Sequence, residues 1–347
     1  MQKTVTNRIG PWRLISTWAW RRLAWQTRAC AVLMLALALP ATALRMVADD
    51  TGRSVRLPDR PHRIVCLAPS VTDTVFAIGS GADVAGITDY TLYPPEARHK
   101  AVIGGVLRPS LERIAMLHPD VAIGIAGFND AETIRGIERI GVPVFLVRQS
   151  GLAGLYRSIE SIGRALGRDP ESAALVARLR HRERRVREQA ASFTTSLGAP
   201  SGTSSVAPSV APSVAPSAVP HRKPPTVFFA ISLDPCITAG RGAFITELLE
   251  AAGARSVTSE LPQEWVHLNI EGVVARQPMF VLLLNDAPFG LKQMREHPGW
   301  RSLEAVRAGR VLRIDDRLQY PSPVAFDALE EFAQQLRAAQ GRGQGLD

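Results

Sequence analysis

Seven histidines (His62, His99, His118, His181, His221, His267 and His297) are scattered along the chain, with no H-x-H, H-E-x-x-H or cysteine-paired spacing. No set of side chains is therefore spaced to close around a metal ion. There is no G-x-S-x-G nucleophile elbow, and Ala239-Gly240-Arg241-Gly242 lacks the GK[ST] ending of a phosphate loop, so it reads as a tight turn opening a helix. Most acidic residues fall on segments of helical periodicity, where solvated faces account for them. The sequence thus offers no catalytic constellation and no cofactor or metal site. It does offer two glutamates in matching places. Glu112 lies in Ser110–Ile123 and Glu271 in Asn269–Leu282, two stretches that align without a gap. An acid in the first turn of a helix gains roughly 0.3–1 kcal/mol from the helix dipole, which by itself suffices to explain both.

The elements that position these glutamates are readable around them. Each copy opens with a helix N-cap residue (Ser110, Asn269), carries apolar residues at helical spacing, meets a proline (Pro119, Pro278) and continues as an apolar run fit for a buried parallel strand. Two such units 159 positions apart predict two similar lobes. In the first, Ile64–Leu67 reads as a buried strand, Ser70-Val71-Thr72-Asp73 as a capping-box-like start of a helix running to Gly79, and Val84–Ile87 as a second strand. Thr88–Pro95 follows it as a loop rich in aromatic and turn residues, beyond a strand's carboxyl end, where ligands of open α/β sheets bind. Helices are expected over 130–140 and 152–166, with a strand at 144–147 between them. After Asp169-Pro170 a long, highly charged helix extends to about residue 193.

From Ala199 to Pro220 the composition collapses to Pro, Ser, Ala and Val with a Val-Ala-Pro-Ser repeat, too poor in large apolar groups to pack. Beyond it come strands at 226–231, 279–284 and 311–314, and helices at 243–252, 290–296 and 325–339. The expected organisation is an α/β protein of two doubly wound lobes joined by a single long helix. Its parts are 1–43 an export segment, 44–168 the first lobe, 169–193 the connecting spine, 194–224 a linker and 225–341 the second lobe.

The net charge of +9 is concentrated at the start of the chain, since residues 1–43 hold six basic residues and no acid, leaving 35 basic against 32 acidic elsewhere. Nucleic acid is therefore not the expected partner. The basic stretch leads into the apolar run Ala29–Leu39 and then Pro40-Ala41-Thr42-Ala43, which fits an A-x-A cleavage site: a signal peptide cut after Ala43, sending the protein to the periplasm. The run is about half of the ~20 apolar residues that cross a bilayer. Cys30 stands at its start and not just behind it, so a lipid-modified terminus is not expected. The mature chain keeps Cys66, expected to be buried, and Cys236, expected to be more exposed. A disulfide between them would tie one lobe to the other and is not expected.

Arg63-Ile-Val-Cys-Leu-Ala-Pro-Ser-Val-Thr-Asp-Thr-Val-Phe-Ala-Ile-Gly79, Tyr90 with Tyr93-Pro94-Pro95-Glu96, Ser110-Leu111-Glu112-Arg113-Ile114 with Pro119-Asp120, and Gly141-Val142-Pro143-Val144-Phe145 together resemble the periplasmic solute-binding proteins of cobalamin, haem and ferric-siderophore ABC importers, most of all the cobalamin branch. The resemblance covers roughly Pro61 to Arg337, apart from the linker. It implies a class III, helical-backbone binding protein, a monomer and not an enzyme, that holds cobalamin between its lobes and delivers it to a permease dimer in the inner membrane. It implies ligand contacts at Tyr90, Trp265 and Asp316, and permease salt bridges at Glu112 and Glu271. Val106, Ile125 and Ile231 depart from the pattern, standing where Trp, Trp and Phe are expected. The alternatives are the same fold carrying haem or a ferric siderophore, with Tyr90 as an oxygen ligand to iron, and, from another class, an exported enzyme.

Overall fold

The structure, a computed structural model, describes residues 43–196 and 223–342. The expected export segment, but for Ala43, and most of the expected Pro/Ser/Ala/Val linker lie outside the described residues. An antiparallel hairpin, β1 (Leu44–Ala48) and β2 (Ser54–Pro58), leads into the first lobe. There β3 (Ile64–Cys66), β4 (Val84–Ile87), β5 (Ala101–Val102), β6 (Val121–Ile125) and β7 (Val144–Val147) form a parallel sheet of order β5-β4-β3-β6-β7. Helices α1 (Pro69–Ala77), α2 (Leu111–Met116), α3 (Ala131–Arg139) and α4 (Gly151–Leu166) connect and cover it. All residues of β3 and β7 are buried, the unbroken apolar run of a strand covered on both faces.

Gly167 closes α4 in the left-handed conformation (φ 65°), and a Cβ there would come within 2.6 Å of the Asp59 carbonyl oxygen. The chain then turns directly into the spine, α5 (Asp169–Ser196), continuous over 28 residues. The second lobe has a parallel sheet of order β11-β8-β13-β14, built from β8 (Thr226–Ala230), β11 (Arg255–Ser256), β13 (Phe280–Leu284) and β14 (Val311–Ile314). Beside it, β9 (Ser232–Leu233), β10 (Cys236–Ala239) and β12 (Trp265–Leu268) form a small antiparallel sheet. Helices α6 (Phe244–Ala251), α7 (Ile270–Val274), α8 (Leu291–Glu296), α9 (Glu304–Arg307) and α10 (Ala325–Arg342) complete it.

The duplicated unit recurs in the fold. Ser110 accepts a hydrogen bond from the Arg113 amide and Asn269 one from the Gly272 amide, each capping its helix. His118 (φ 43°) and Gln277 (φ 37°), both ahead of the prolines, share a left-handed backbone, and β6 and β13 begin and end 159 residues apart. Two local expectations fail. Ser70 does not cap α1, because Pro69 already occupies the first turn and Ala68 the cap; the Ser70 hydroxyl instead donates to Gln149 Oε1 at 2.8 Å, and Asp73 is buried. Cys236 is buried, since it begins a central antiparallel strand and packs in the second lobe's apolar cluster. That three-stranded sheet has no counterpart in the first lobe, so the repeat gave no warning of it.

One apolar cluster runs through both lobes, from Ile64, Phe145 and Ile159 through Leu175, Leu179 and Val186 of the spine to Phe229, Leu282 and Phe326. Tyr156 of α4 meets Phe326 of α10 at 6.3 Å between ring centroids. Arg182 of α5 pairs with Asp327 (2.6 Å) and Glu330 (2.8 Å) of α10. Glu247 of α6 reaches across to the start of α4, where its Oε2 accepts the Leu152 amide at 2.7 Å. Gly151, with φ 62°, leaves the space for it, as a Cβ there would lie 2.5 Å from Glu247 Oε1. Losing this partner strands a helix N-terminal amide, so Glu247→Ala should lower stability by about 1–2 kcal/mol, read from the midpoint of urea unfolding. Burial pushes the Cys66 thiol up to about 12 and the Cys236 thiol up to about 11. With both cysteines free, a chromogenic disulfide reagent should find no reactive thiol in the native mature protein and two after denaturation.

Candidate functional site

In each sheet the strand order reverses next to the first strand of its lobe, between β3 and β6 and between β8 and β13. The loops beyond the carboxyl ends of these strands are where an open α/β sheet presents a site. In the loop after β4, Thr88 and Thr91 turn inward and lie 3.2 Å apart through their hydroxyls, while the Asp89 amide binds the Gly104 carbonyl at 3.1 Å. With its neighbours held inside, Tyr90 projects outward, 71% exposed, and its phenol has no hydrogen-bond partner among the described residues. Trp265 begins β12, where Val266 is buried and Trp265 and His267 alternate to the outer face. It is 45% exposed.

After β14 the two adjacent aspartates divide the work. Asp315 caps the following turn and grips Arg317 with both carboxylate oxygens, Nε and Nη2 each at 2.8 Å. Its hydrogen bonds to Arg317 hold Asp315 below, and Arg317 above, their ordinary pKa ranges. Asp316 is left out of the cap and turns toward the end of β13, where the Asp286 amide lies 3.4 Å from its Oδ1. Burial first, then the like charges of Asp286 and Asp315, pushes its carboxyl above the usual range.

No hydrogen bond, ion pair or ring contact joins Tyr90, Trp265 and Asp316 to one another among the described residues, but their segments meet across the lobes in two places. The Arg317 guanidinium stacks over the Tyr93 ring at 5.7 Å, which draws the Tyr90 loop of the first lobe and the Asp316 turn of the second to one rim. The Ser150 hydroxyl, between β7 and α4, donates to Glu264, the neighbour of Trp265. Val106, Ile125 and Ile231, partly buried at loop bases, pack on the main core and add aliphatic surface. No group of three or more His, Cys, Asp or Glu side chains that could hold a metal ion occurs among the described residues. The arrangement can offer aromatic faces, aliphatic walls and carboxylate acceptors to a solute.

Glu112 and Glu271 are both exposed in the first turns of α2 and α7. Each helix runs back toward the amino end of the strand that follows, so each glutamate stands at the carboxyl-end side of its sheet, the side of the site. Ser110 accordingly binds the chain just past β5, its amide to the Ile103 carbonyl at 2.7 Å.

A match to the periplasmic binding protein family covers residues 64–197 and 213–318. The chain belongs to that family. Among its relatives is an uncharacterised ABC transporter substrate-binding lipoprotein, YvrC, of Bacillus subtilis (strain 168), 24% identical over 83% of this chain and 84% of the relative. A vitamin B12-binding protein of Vibrio cholerae is 23% identical over 82% of this chain and 92% of its own. Among solved structures, the periplasmic haem-binding protein RhuT of Roseiflexus sp. RS-1 superposes with a TM-score of 0.65 at 26% identity, covering 80% of this chain and 98% of that one.

Two further aromatics of this binding protein are candidates for the site that the sequence did not single out. Phe128 follows β6 and Tyr320 follows β14, both exposed at carboxyl ends, and an aromatic just past a predicted strand was the available signal. Burial, then Asp286 and Asp316, raises the Tyr320 phenol, which marks it as a neighbour of that acidic pair. Nothing in sequence marked Arg317, whose partner Tyr93 lies more than two hundred residues away.

Proposed function

We propose that the protein is the solute receptor of an ABC importer, working in the periplasm, that holds a corrinoid in the cleft between its lobes and delivers it to a permease dimer. The observation that supports this reading is the Tyr93–Arg317 contact, which joins the first-lobe segment carrying exposed Tyr90 to the second-lobe turn carrying Asp316. A corrin is a broad, largely apolar plate with amide arms. Aromatic faces at Tyr90 and Trp265 supply contact area, and Asp316 accepts amide hydrogens. Membership in the periplasmic binding protein family and the vitamin B12-binding relative support the same assignment.

Haem or a ferric siderophore is the second reading. It is favoured by one observation, that the exposed Tyr90 phenol has no hydrogen-bond partner among the described residues and so has an oxygen to give to iron. Cyanocobalamin titrated into the mature protein should quench tryptophan emission, and Trp265→Ala and Tyr90→Ala should each weaken binding roughly tenfold or more without shifting the thermal midpoint. No binding at about 100 μM would overturn the corrinoid assignment, since that corresponds to less than ~6 kcal/mol of binding free energy. A haem absorption band appearing on mixing would move the assignment to the second reading.

Glu112 and Glu271 take the permease contacts in this proposal. They are exposed, related by the lobe repeat and on the side of the cleft, so together they can address two related subunits, and linked contacts gain from effective concentration. Met116, one turn beyond Glu112 on α2 and 77% exposed, adds apolar area beside the first carboxylate. Charge reversal at both sites, Glu112→Arg with Glu271→Arg, should leave solute affinity near wild type and abolish uptake in cells that depend on the importer. Lost affinity in the purified double variant would instead assign these residues to the cleft or the fold.

A further inference from the structure

Arg313 lies in β14 and makes no ion pair among the described residues, although Asp315 and Asp316 follow it closely in the chain. Its half-buried guanidinium goes to neutral partners instead. Nη1 donates to the Leu284 carbonyl at 2.6 Å and to the Ala287 carbonyl at 3.0 Å, and Nη2 donates to the Phe289 carbonyl at 2.5 Å. These oxygens come from the two ends and the middle of the loop between β13 and α8, so one side chain gathers the whole loop. Gly290 leaves the space for it, since a Cβ there would lie 3.0 Å from Nη2. The arginine is itself anchored, its own carbonyl accepting Gln335 Nε2 of α10 at 2.9 Å. A planar fork holds carbonyls in several directions at once, which the single point charge of a lysine on its flexible stem does not.

The amides of the same loop divide. The Asn285 amide binds the Ile314 carbonyl at 2.9 Å and the Ala287 amide the Leu284 carbonyl at 3.2 Å, whereas the Asp286 amide between them lies 3.4 Å from Asp316 Oδ1. A bond of that length depends closely on where the loop is held. We propose that Arg313 is a positioning residue of the solute site: by clamping the carbonyls of Leu284, Ala287 and Phe289 it places the Asp286 amide, and that amide aims the Asp316 carboxylate at the solute. The proposal rests on the reading of Asp316 as a solute acceptor and assigns control of its direction to a residue beneath the loop. The two neighbouring arginines then have complementary tasks. Arg317 takes Asp315 by both carboxylate oxygens and removes it from the site, while Arg313 leaves Asp316 unpaired and sets its place. Burial raises the Asp316 carboxyl, and the loop amides of Asp286 and Asn285 pull against that rise.

Two measurements on the mature protein test the clamp, the first without solute. In wild type the Asp286 amide proton should shift in NMR spectra as the Asp316 carboxyl titrates, and Asp316→Asn should remove that part of the shift. Arg313→Lys should remove it too, with the urea midpoint showing that the variant is folded. A part that survives intact in Arg313→Lys, or that Asp316→Asn never removes, overturns the clamp. Gly290→Ala, whose methyl presses on Nη2 while its extended backbone admits an alanine, should reduce the same part of the shift and decides the question if Arg313→Lys does not fold. The second measurement is affinity for cyanocobalamin. Arg313→Lys should weaken it roughly tenfold, the size of one hydrogen bond to a charged group, but by less than about twofold once Asp316→Ala is present. Equal losses in the two backgrounds overturn the positioning role and leave Arg313 a structural residue. Failure of cyanocobalamin to bind wild type overturns the corrinoid assignment alone, and the solute-free measurement still decides the clamp.

Discussion

The carboxylate of Glu247 at the amino terminus of α4 is the contact on which the relation between the lobes rests. Helix α4 belongs to the first lobe and turns through Gly167 straight into the spine. A second-lobe side chain that caps α4 therefore holds, from the other side, the helix that packs along the spine. Arg182, bound to α10 by two carboxylates, fixes the spine further along its length, and the apolar cluster between these points is shared by both lobes. Separating the lobes fully would expose part of one core instead of parting two finished surfaces, which costs about 25 cal/mol for each Å² of apolar area. The relation between the lobes is thus largely fixed, and the peripheral contacts across them are Tyr93 with Arg317 and Ser150 with Glu264.

Much of this architecture was legible in the sequence because its signals are local. Ser110 and Asn269 are caps that act within three residues, Pro119 and Pro278 stop their helices by covalent geometry, and β6 and β13 announce themselves as unbroken apolar runs. What was hidden depends on distant partners. Ser70 has the chemistry of a cap, but Pro69 takes the first turn and Gln149 takes the hydroxyl. Cys236 follows a turn and looked exposed, yet β9 and β12 flank its strand from both sides. For the candidate site, Tyr90, Trp265 and Asp316 could be nominated from the resemblance, whereas Arg317, Tyr320 and Phe128 acquire meaning only from what stands opposite or beside them.

The lobe symmetry is kept in one layer and broken in the next. From Ser110 to Ile125 and from Asn269 to Leu284 the copies share caps, glutamates, left-handed residues and strands. One step past the strands the likeness ends: Phe128 corresponds to Ala287 and Asn129 to Pro288. Asn129 staples the first loop, accepting the Ile125 amide at 2.8 Å and donating to the Leu67 and Val106 carbonyls. Proline has no such side chain, and the second loop is stapled by Arg313, which donates to the carbonyls of Leu284, Ala287 and Phe289. Different staples hold loops of different shape on equivalent strands. On the proposed reading, one acid on each lobe suits a partner with repeated parts, while unlike loops suit a solute whose two faces are not equivalent. The fold accommodates both demands because the helix amino termini that carry the acids and the loops that vary are separate segments of the same sheet edge.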